Sequence, residues 1–443
     1  MSVEPLTAGA TMVSDGDVTL GTRVHPRSPI ESWASDARWW APAREAPSLK
    51  SLAQPARWWL LVGLGGLATA ALIYLAGYVL GIRLLAPIRG WGEGVPDDLW
   101  DRAGDVRAMF TRWDGSYYLV IAQSGYSDIG DERAYFPFYP LLVRGLSGLA
   151  HGDLPTVGAL VSICAFAAGG LMLYKLARLR GDHRLGLVTA AAYFLFPMSF
   201  FNVSFYPEAL FIFTSAAGSY LALRRRFFWS GLAFAIALST RPLGWVFVPA
   251  FLFTVLLSRP WSRREIVEAL AGLALVPVGM LSFLSYLALR QDSMRIVRTY
   301  TDVYWEGWTD YLTYPWAVFY DGLMAAVVGR GIPSDWFSHA VAWHDLTYVI
   351  GGLAAAALAW RMLPVGLAAS LTLGMGFILM AHGPGGHALY SDPRRVAELF
   401  PIYLVLGELL LRVGPRVRIA YFTLSGLGLA FLAAWFASGR WVA

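Results

Sequence analysis

Residues 58–84 read WWLLVGLGGLATAALIYLAGYVLGIRL, and residues 112–126 read RWDGSYYLVIAQSGY. The first stretch has one charge, Arg83, near its end, and it exceeds the ~20 apolar residues needed to cross a bilayer. Backbone in hydrocarbon must satisfy its own N–H and C=O groups, so this stretch is expected to be a transmembrane helix. The second stretch follows a polar loop and has a lone carboxylate, Asp114, between Trp113 and the pair Tyr117–Tyr118. An acidic spacer then leads to YFPFYP at residues 135–140. Two readings are open. The segment is either an interfacial amphipathic helix, its aromatics in the membrane belt and Asp114 solvated, or the site of an enzyme. A membrane enzyme that activates a sugar hydroxyl needs a carboxylate at the water–lipid boundary, with aromatic faces nearby to stack a sugar ring.

The chain as a whole favours a membrane setting. Its 443 residues are 57% hydrophobic, with mean hydropathy +0.51, which excludes an ordinary soluble domain. Apolar spans are expected near 58–84, 155–177, 185–202, 207–223, 227–240, 243–258, 265–289, 345–361, 363–381, 396–411 and 418–437. The fold class is therefore an all-α polytopic membrane protein of about eleven transmembrane helices. Arg241-Pro242 interrupts two short spans, so a bent or half-spanning geometry is expected there. The aromatic, Pro-rich stretch 136–150 is read as a re-entrant or interfacial helix.

Residues 1–50 are polar, rich in Ser, Pro, Ala and Asp, and are expected to form a disordered cytoplasmic tail, with the membrane domain over 57–443. No basic segment with a short apolar core precedes the first span, which is expected to act as its own insertion signal. Cys164, the single cysteine, lies in an apolar span and excludes a disulfide framework or a thiolate metal site. The net charge of +5 belongs to topology-setting loops, not to nucleic-acid binding.

Charge sorts the loops. With Lys50 and Arg57 placed in the cytoplasm, alternation puts Lys175–Arg184, Arg224–Arg226, Arg259–Arg264, Arg361 and Arg412–Arg418 on that side, each a short basic loop. The opposite side receives Asp114, Glu208, Arg241, Asp392 and Arg394, with a first outer loop over 85–154 and another over 290–345. Segments far apart in sequence thus share one extracytoplasmic face.

W-D-G-x-x-Y-x-x-I-A-x-x-G-Y followed by F-P-F-Y-P resembles the first-loop signature of the PIG-V-like mannosyltransferases, bacterial relatives of the second mannosyltransferase of GPI-anchor synthesis. YPEALF at Tyr206–Phe211, TRPLG at Thr240–Gly244 and RRVAELFP at Arg394–Pro401 are similar to further segments of that family. The resemblance runs from about residue 57 to the C-terminus, and it matches only loosely over Gln291 to Trp308, where acceptor contacts are expected. It implies a GT-C-type bundle with an outer-face catalytic loop after the first helix. It also implies a polyprenyl-phosphate sugar donor, most simply mannose, and metal-independent chemistry with no cofactor.

The residues suggest roles of their own. Asp114 is the candidate catalytic base for an acceptor hydroxyl. Arg241, Arg394 and Arg395 are candidate ligands of the donor phosphate, because guanidinium forks pair well with phosphate oxygens. Arg394 and Arg395 could equally be interfacial anchors. Candidate substrate-binding residues are Arg112, Trp113, Tyr117, Tyr139, Tyr206 and Glu208, together with Trp305 and Trp308 of the 290–345 loop, itself readable as an aromatic belt. Glu208 could pair with Arg241 or simply cap a helix start. His382 and His387 flank a Pro- and Gly-rich loop and lack a third ligand, so no metal site is expected.

The reading is an inverting glycosyltransferase of the plasma membrane, acting on a glycolipid, glycan or protein acceptor. The alternative is a transporter or flippase of lipid-linked sugars, which would ordinarily carry ionisable groups near the bilayer midplane. A third possibility is an inactive scaffold on the same fold.

Overall fold

A computed structural model describes residues 49–85, 87, 105–126, 134–290, 314–380 and 388–442, all within a single unit, Pro42–Ala443. Among the described residues the secondary structure is entirely helical. The helices are α1 (Leu49–Ala76, continued by a π-helical segment Gly77–Leu84), α2 (Asp114–Ser124), α3 (Phe138–Gly145), α4 (Leu154–Arg178), α5 (His183–Phe194), α6 (Glu208–Leu223), α7 (Phe227–Thr240) and α8 (Val248–Leu257). The second half has α9 (Arg263–Leu275), α10 (Val278–Arg290), α11 (Pro315–Val328), α12 (Trp336–Met362), α13 (Val365–Ile378), α14 (Asp392–Glu398), α15 (Pro401–Arg412) and α16 (Pro415–Ala437).

Among the described residues, five helical segments are long and apolar enough to cross a membrane: Ala56–Leu84, Leu154–Arg178, Arg263–Leu289, Trp336–Met362 and Pro415–Ala437. A sixth is α5 with the 3₁₀ turn Pro197–Val203, bent by 79°. Phe196 is extended there because the following proline disfavours the helical conformation before it and removes a donor after it. The shorter apolar helices are α6, α7, α11, α13 and the segment Pro242–Leu257. α1 presents Leu60, Leu64, Leu67, Leu72 and Leu75 outward, a stripe suited to lipid. This is the arrangement of a multi-pass membrane protein.

The differences from the sequence reading come from proline and from packing. By length and composition, five or six spans are counted among the described residues, and five further apolar segments fall below the length needed to cross on their own. The expected span 396–411 is split, because the helix ends at Glu398 and restarts at Pro401. The loop expected over 290–345 contains α11 and the first turns of α12. At Arg241-Pro242 the chain breaks as the proline demands, passing through a 3₁₀ turn, Pro242–Phe247, before α8. The 136–150 stretch forms only the short α3 and a 3₁₀ turn, Ser147–Ala150.

The core centres on α4, which packs against α1, α5 and α6, while α6 packs on α7 and α7 on α9. In hydrocarbon, helices associate through close van der Waals fit, so small residues mark the tight crossings. A Cβ on Gly231 of α7 would lie 2.2 Å from the Gly272 carbonyl oxygen of α9. Large rings fill the interior near one end of the bundle, where Phe200, Phe201, Phe205, Tyr206 and Phe211 are all buried. At the other end Arg225, from the basic α6–α7 loop, donates to the carbonyls of Ser258 and Pro260 and pairs with Glu265.

Candidate active site

Asp114 is the first residue of α2, where the unpaired N–H groups and the helix dipole favour a carboxylate. The preceding Trp113 has φ 54° and ψ −128°, a conformation that costs an L-residue roughly 1–3 kcal/mol and persists only where neighbours hold it. Gly115 is required by proximity: a Cβ there would sit 3.0 Å from Tyr206 Cε2 and 3.3 Å from the Phe205 carbonyl oxygen. The loop is locked to the 200–206 turn by two further bonds, Phe205 N–H to the Phe110 carbonyl at 3.1 Å and Tyr206 O–H to the Arg112 carbonyl at 2.8 Å.

Four distant segments meet here. Arg394 Nη1 donates to Asp114 Oδ2 at 2.6 Å, and Arg394 Nε donates to Glu208 Oε1 at 2.6 Å. The same Glu208 oxygen accepts from Arg241 Nη1 at 2.8 Å. Arg241 Nε lies 2.8 Å from Glu398 Oε2, an ion contact without the alignment of a hydrogen bond. The result is an alternating chain, Asp114–Arg394–Glu208–Arg241–Glu398, drawn from the starts of α2 and α6, the α7 break and α14. Tyr135 O–H donates to Asp114 Oδ1 at 3.0 Å, so both carboxylate oxygens are engaged. The Arg394 guanidinium also lies over the rings of Tyr206 (4.8 Å) and Phe201 (5.1 Å).

Three carboxylates face two guanidiniums in this chain, one negative charge in excess. Burial acts against charge on both arginines, yet the adjoining carboxylates raise both above the ordinary arginine value, so they stay cationic. Burial pushes the Glu398 carboxyl up, to about 7, against the pull of Arg241. Asp392, fully buried and paired with Arg395 at 3.3 Å, is pushed up to about 8, again by burial.

The structure places the expected site residues differently. Asp114, Arg394, Glu208 and Arg241 are brought into one network. Arg112, Trp113, Tyr117 and Tyr206 surround it: Tyr117 stacks on Tyr135 with ring centres 4.9 Å apart, and burial lowers Arg112 to about 10. Arg395 stands beside the network with Asp392. Tyr139 turns away into the bundle, its O–H donating to the Gly158 carbonyl at 3.1 Å with Ser162 Oγ at 3.0 Å. Trp305, Trp308 and the His382–His387 segment lie outside the described residues.

Sequence reasoning missed Glu398, Tyr135 and Trp441. Glu398 was findable, since it stands four residues after Arg394 and so on the same helix face. Tyr135 lies inside the quoted YFPFYP, in the bend before α3, whereas Tyr139 is on α3 itself. Trp441 carried no local signal. Beside α14, a cavity of about 420 Å³ lined by Phe196, Tyr348, Gly351, Gly352, Val396 and Tyr421 is almost wholly apolar. Among the described residues, no group of three or more His, Cys, Asp or Glu side chains is placed to hold a metal ion.

The chain is 32% identical over 148 residues to GPI alpha-1,6-mannosyltransferase 2 of Cricetulus griseus. The match takes in 31% of this chain and 30% of the hamster protein. No protein-family model matches the chain.

Proposed function

We propose that this protein is an inverting glycosyltransferase that moves a sugar, most simply mannose, from a polyprenyl-phosphate carrier to an acceptor hydroxyl at the extracytoplasmic face of the plasma membrane. The carrying observation is the Asp114–Arg394 contact at 2.6 Å, which sets a carboxylate and a buried guanidinium side by side at the end of a membrane bundle. The sequence similarity to a mannosyltransferase supports the same reading, as does the likeness of the first loop to the PIG-V-like enzymes of the GT-C class.

In the proposed reaction the acceptor oxygen attacks the anomeric carbon from the face opposite the phosphate. The new O–C1 bond forms as the C1–O bond to phosphate breaks with its electron pair. The acceptor proton passes to the Asp114 carboxylate, and the polyprenyl phosphate leaves as an anion. Arg394 is already shared by two carboxylates, so an incoming phosphate offers it a third anionic partner and loosens its hold on Asp114. Arg241, lying between Glu208 and Glu398, fixes Glu208 and supplies charge from behind. The apolar cavity beside α14 supports a route for the carrier's lipid tail. No step runs through a metal or cofactor.

The test is transfer from polyprenyl-phosphate-linked radiolabelled mannose into a membrane-lipid extract, comparing native protein with Asp114→Asn. Label entering a product only with native protein supports the assignment. Movement of intact carrier across liposomes without transfer overturns it in favour of a flippase.

A further inference from the structure

We propose that Trp441 is a positioning residue of the transfer site, clamping the Asp114 loop and the Arg394 loop against each other. The inference rests on the reading of Asp114 as base and Arg394 as the phosphate-facing cation, and it adds a third wall that neither loop supplies.

The Trp441 indole touches both loops at once. Its ring meets Trp113 edge-to-face, with centres 4.9 Å apart and planes at 82°. It also stacks on Tyr390, with centres 4.9 Å apart and planes at 9°. Trp113 immediately precedes Asp114, and Tyr390 precedes the turn into α14 that carries Arg394. Each loop also contains a non-glycine residue in the left-handed region, Trp113 at φ 54° and Ser391 at φ 63°. Such backbone persists only where its surroundings impose it, and the Trp441 ring packs on Trp113 itself and on Tyr390, the neighbour of Ser391.

The indole is itself held. Gly439, at φ 85°, turns the chain back after α16. Trp435 Nε1 donates to the Trp441 carbonyl at 3.1 Å, and Arg440 N–H donates to the Trp435 carbonyl at 3.2 Å. The Arg440 guanidinium lies 5.3 Å from the Trp435 ring centre, and Val442 beyond is buried. A fixed anchor reaching two strained loops has one mechanical consequence, which is to hold the residues just beyond the strain at a set separation. Those residues are Asp114 and Arg394. Small displacements of reacting groups cost large factors in rate, so the clamp acts on turnover more than on carrier affinity.

The experiment compares Trp441→Ala and Trp441→Phe in the full-length protein reconstituted in lipid, with Asp114→Asn as the inactive control. Trp441→Ala is expected to lower kcat about tenfold or more, with KM for the carrier within about twofold of native. Trp441→Phe, which keeps a ring against both partners, is expected to recover most of the loss. Hydrogen exchange supplies a readout that needs no turnover. Residues 112–116 and 388–395 should exchange faster in Trp441→Ala and return toward native in Trp441→Phe, while α4 stays unchanged. If Trp441→Ala does not fold, Tyr390→Leu strips one side of the same clamp and should reproduce the pattern.

Native kcat and native exchange in Trp441→Ala would overturn the proposal, and so would a change confined to KM or exchange raised equally in α4. Failure of the native protein to transfer any label, with the exchange pattern as expected, counts against the transferase reading and supports the clamp.

Discussion

Arg394 Nη1 reaches Asp114 Oδ2 at 2.6 Å, joining residues 280 apart in the chain. The same guanidinium holds Glu208, so the candidate base and a buried carboxylate share one cation. A carboxylate held this way is aimed, and in the proposed reaction it is released as a base when the donor phosphate draws the arginine toward itself. Under that proposal the contact links arrival of the donor to readiness of the base.

Asp114→Asn keeps the side-chain shape and removes the proton acceptor. Transfer is expected to fall about 10²- to 10⁴-fold, the usual contribution of general-base catalysis. Glu208 remains as partner for Arg394, so the melting midpoint should stay near native. Native-level transfer by this variant excludes Asp114 as the base.

Arg394→Ala leaves Asp114 and Glu208 facing each other, with the Glu208 side chain 2% exposed. Removing one partner of a buried ion pair costs about 3–5 kcal/mol, so a large fall in melting midpoint is expected. Arg394→Lys keeps the charge but cannot span two carboxylates and a phosphate at once. Its KM for the carrier should rise more than its KM for the acceptor, and equal increases would indicate a purely structural role.

Tyr135→Phe deletes the hydrogen bond to Asp114 Oδ1 and keeps the ring stacked on Tyr117. Hydrogen bonds to charged groups are worth about 1.5–3 kcal/mol, which corresponds to about tenfold or more in kcat if the bond aims the carboxylate. Kinetics at saturating donor check this, and an unchanged kcat removes Tyr135 from the site.

Stability should fall as pH rises through neutrality. Burial pushes Glu398 up to about 7 and Asp392 up to about 8, so the folded protein holds both protons more tightly than the unfolded chain. Their contribution is fully present at low pH and is lost as pH rises through those folded values. The melting midpoint is expected to drop between about pH 5 and about pH 9, with a shallower drop in Glu398→Gln and in Asp392→Asn. A midpoint that rises over this range contradicts the assignment.

Gly115→Ala places a methyl group 3.0 Å from Tyr206 Cε2 and 3.3 Å from the Phe205 carbonyl oxygen. Overpacking of this kind costs about 1–3 kcal/mol, and the adjacent Asp114 must shift with it, so transfer should fall as well. Gly63→Ala in α1, where nothing stands within 4 Å of the added carbon, is the matched control and should behave as native.

By itself the sequence determined the membrane character, several helices and the break at Pro242. Long apolar runs, such as the one ending at Leu84, can be satisfied in hydrocarbon only as helices, and Pro242 interrupts one by steric rules that act over two or three residues. The breaks at Pro197 and Pro401 fall inside the expected spans 185–202 and 396–411 and came from the structure. The sequence also singled out Asp114, Glu208, Arg241 and Arg394 as candidate site residues. The tertiary structure decided who pairs with whom. Glu208 lies 33 residues from Arg241 and 186 from Arg394, and no local pattern selects between those partners. Only the packing of α2, α6 and α14 brings them within hydrogen-bond reach. For the same reason Tyr135 turns to Asp114 while Tyr139, four residues on, turns into α4. Trp441 is the clearest case. Its role depends on two rings from distant loops converging on one indole, and such a contact is set by how helices stack, not by the residues on either side of it.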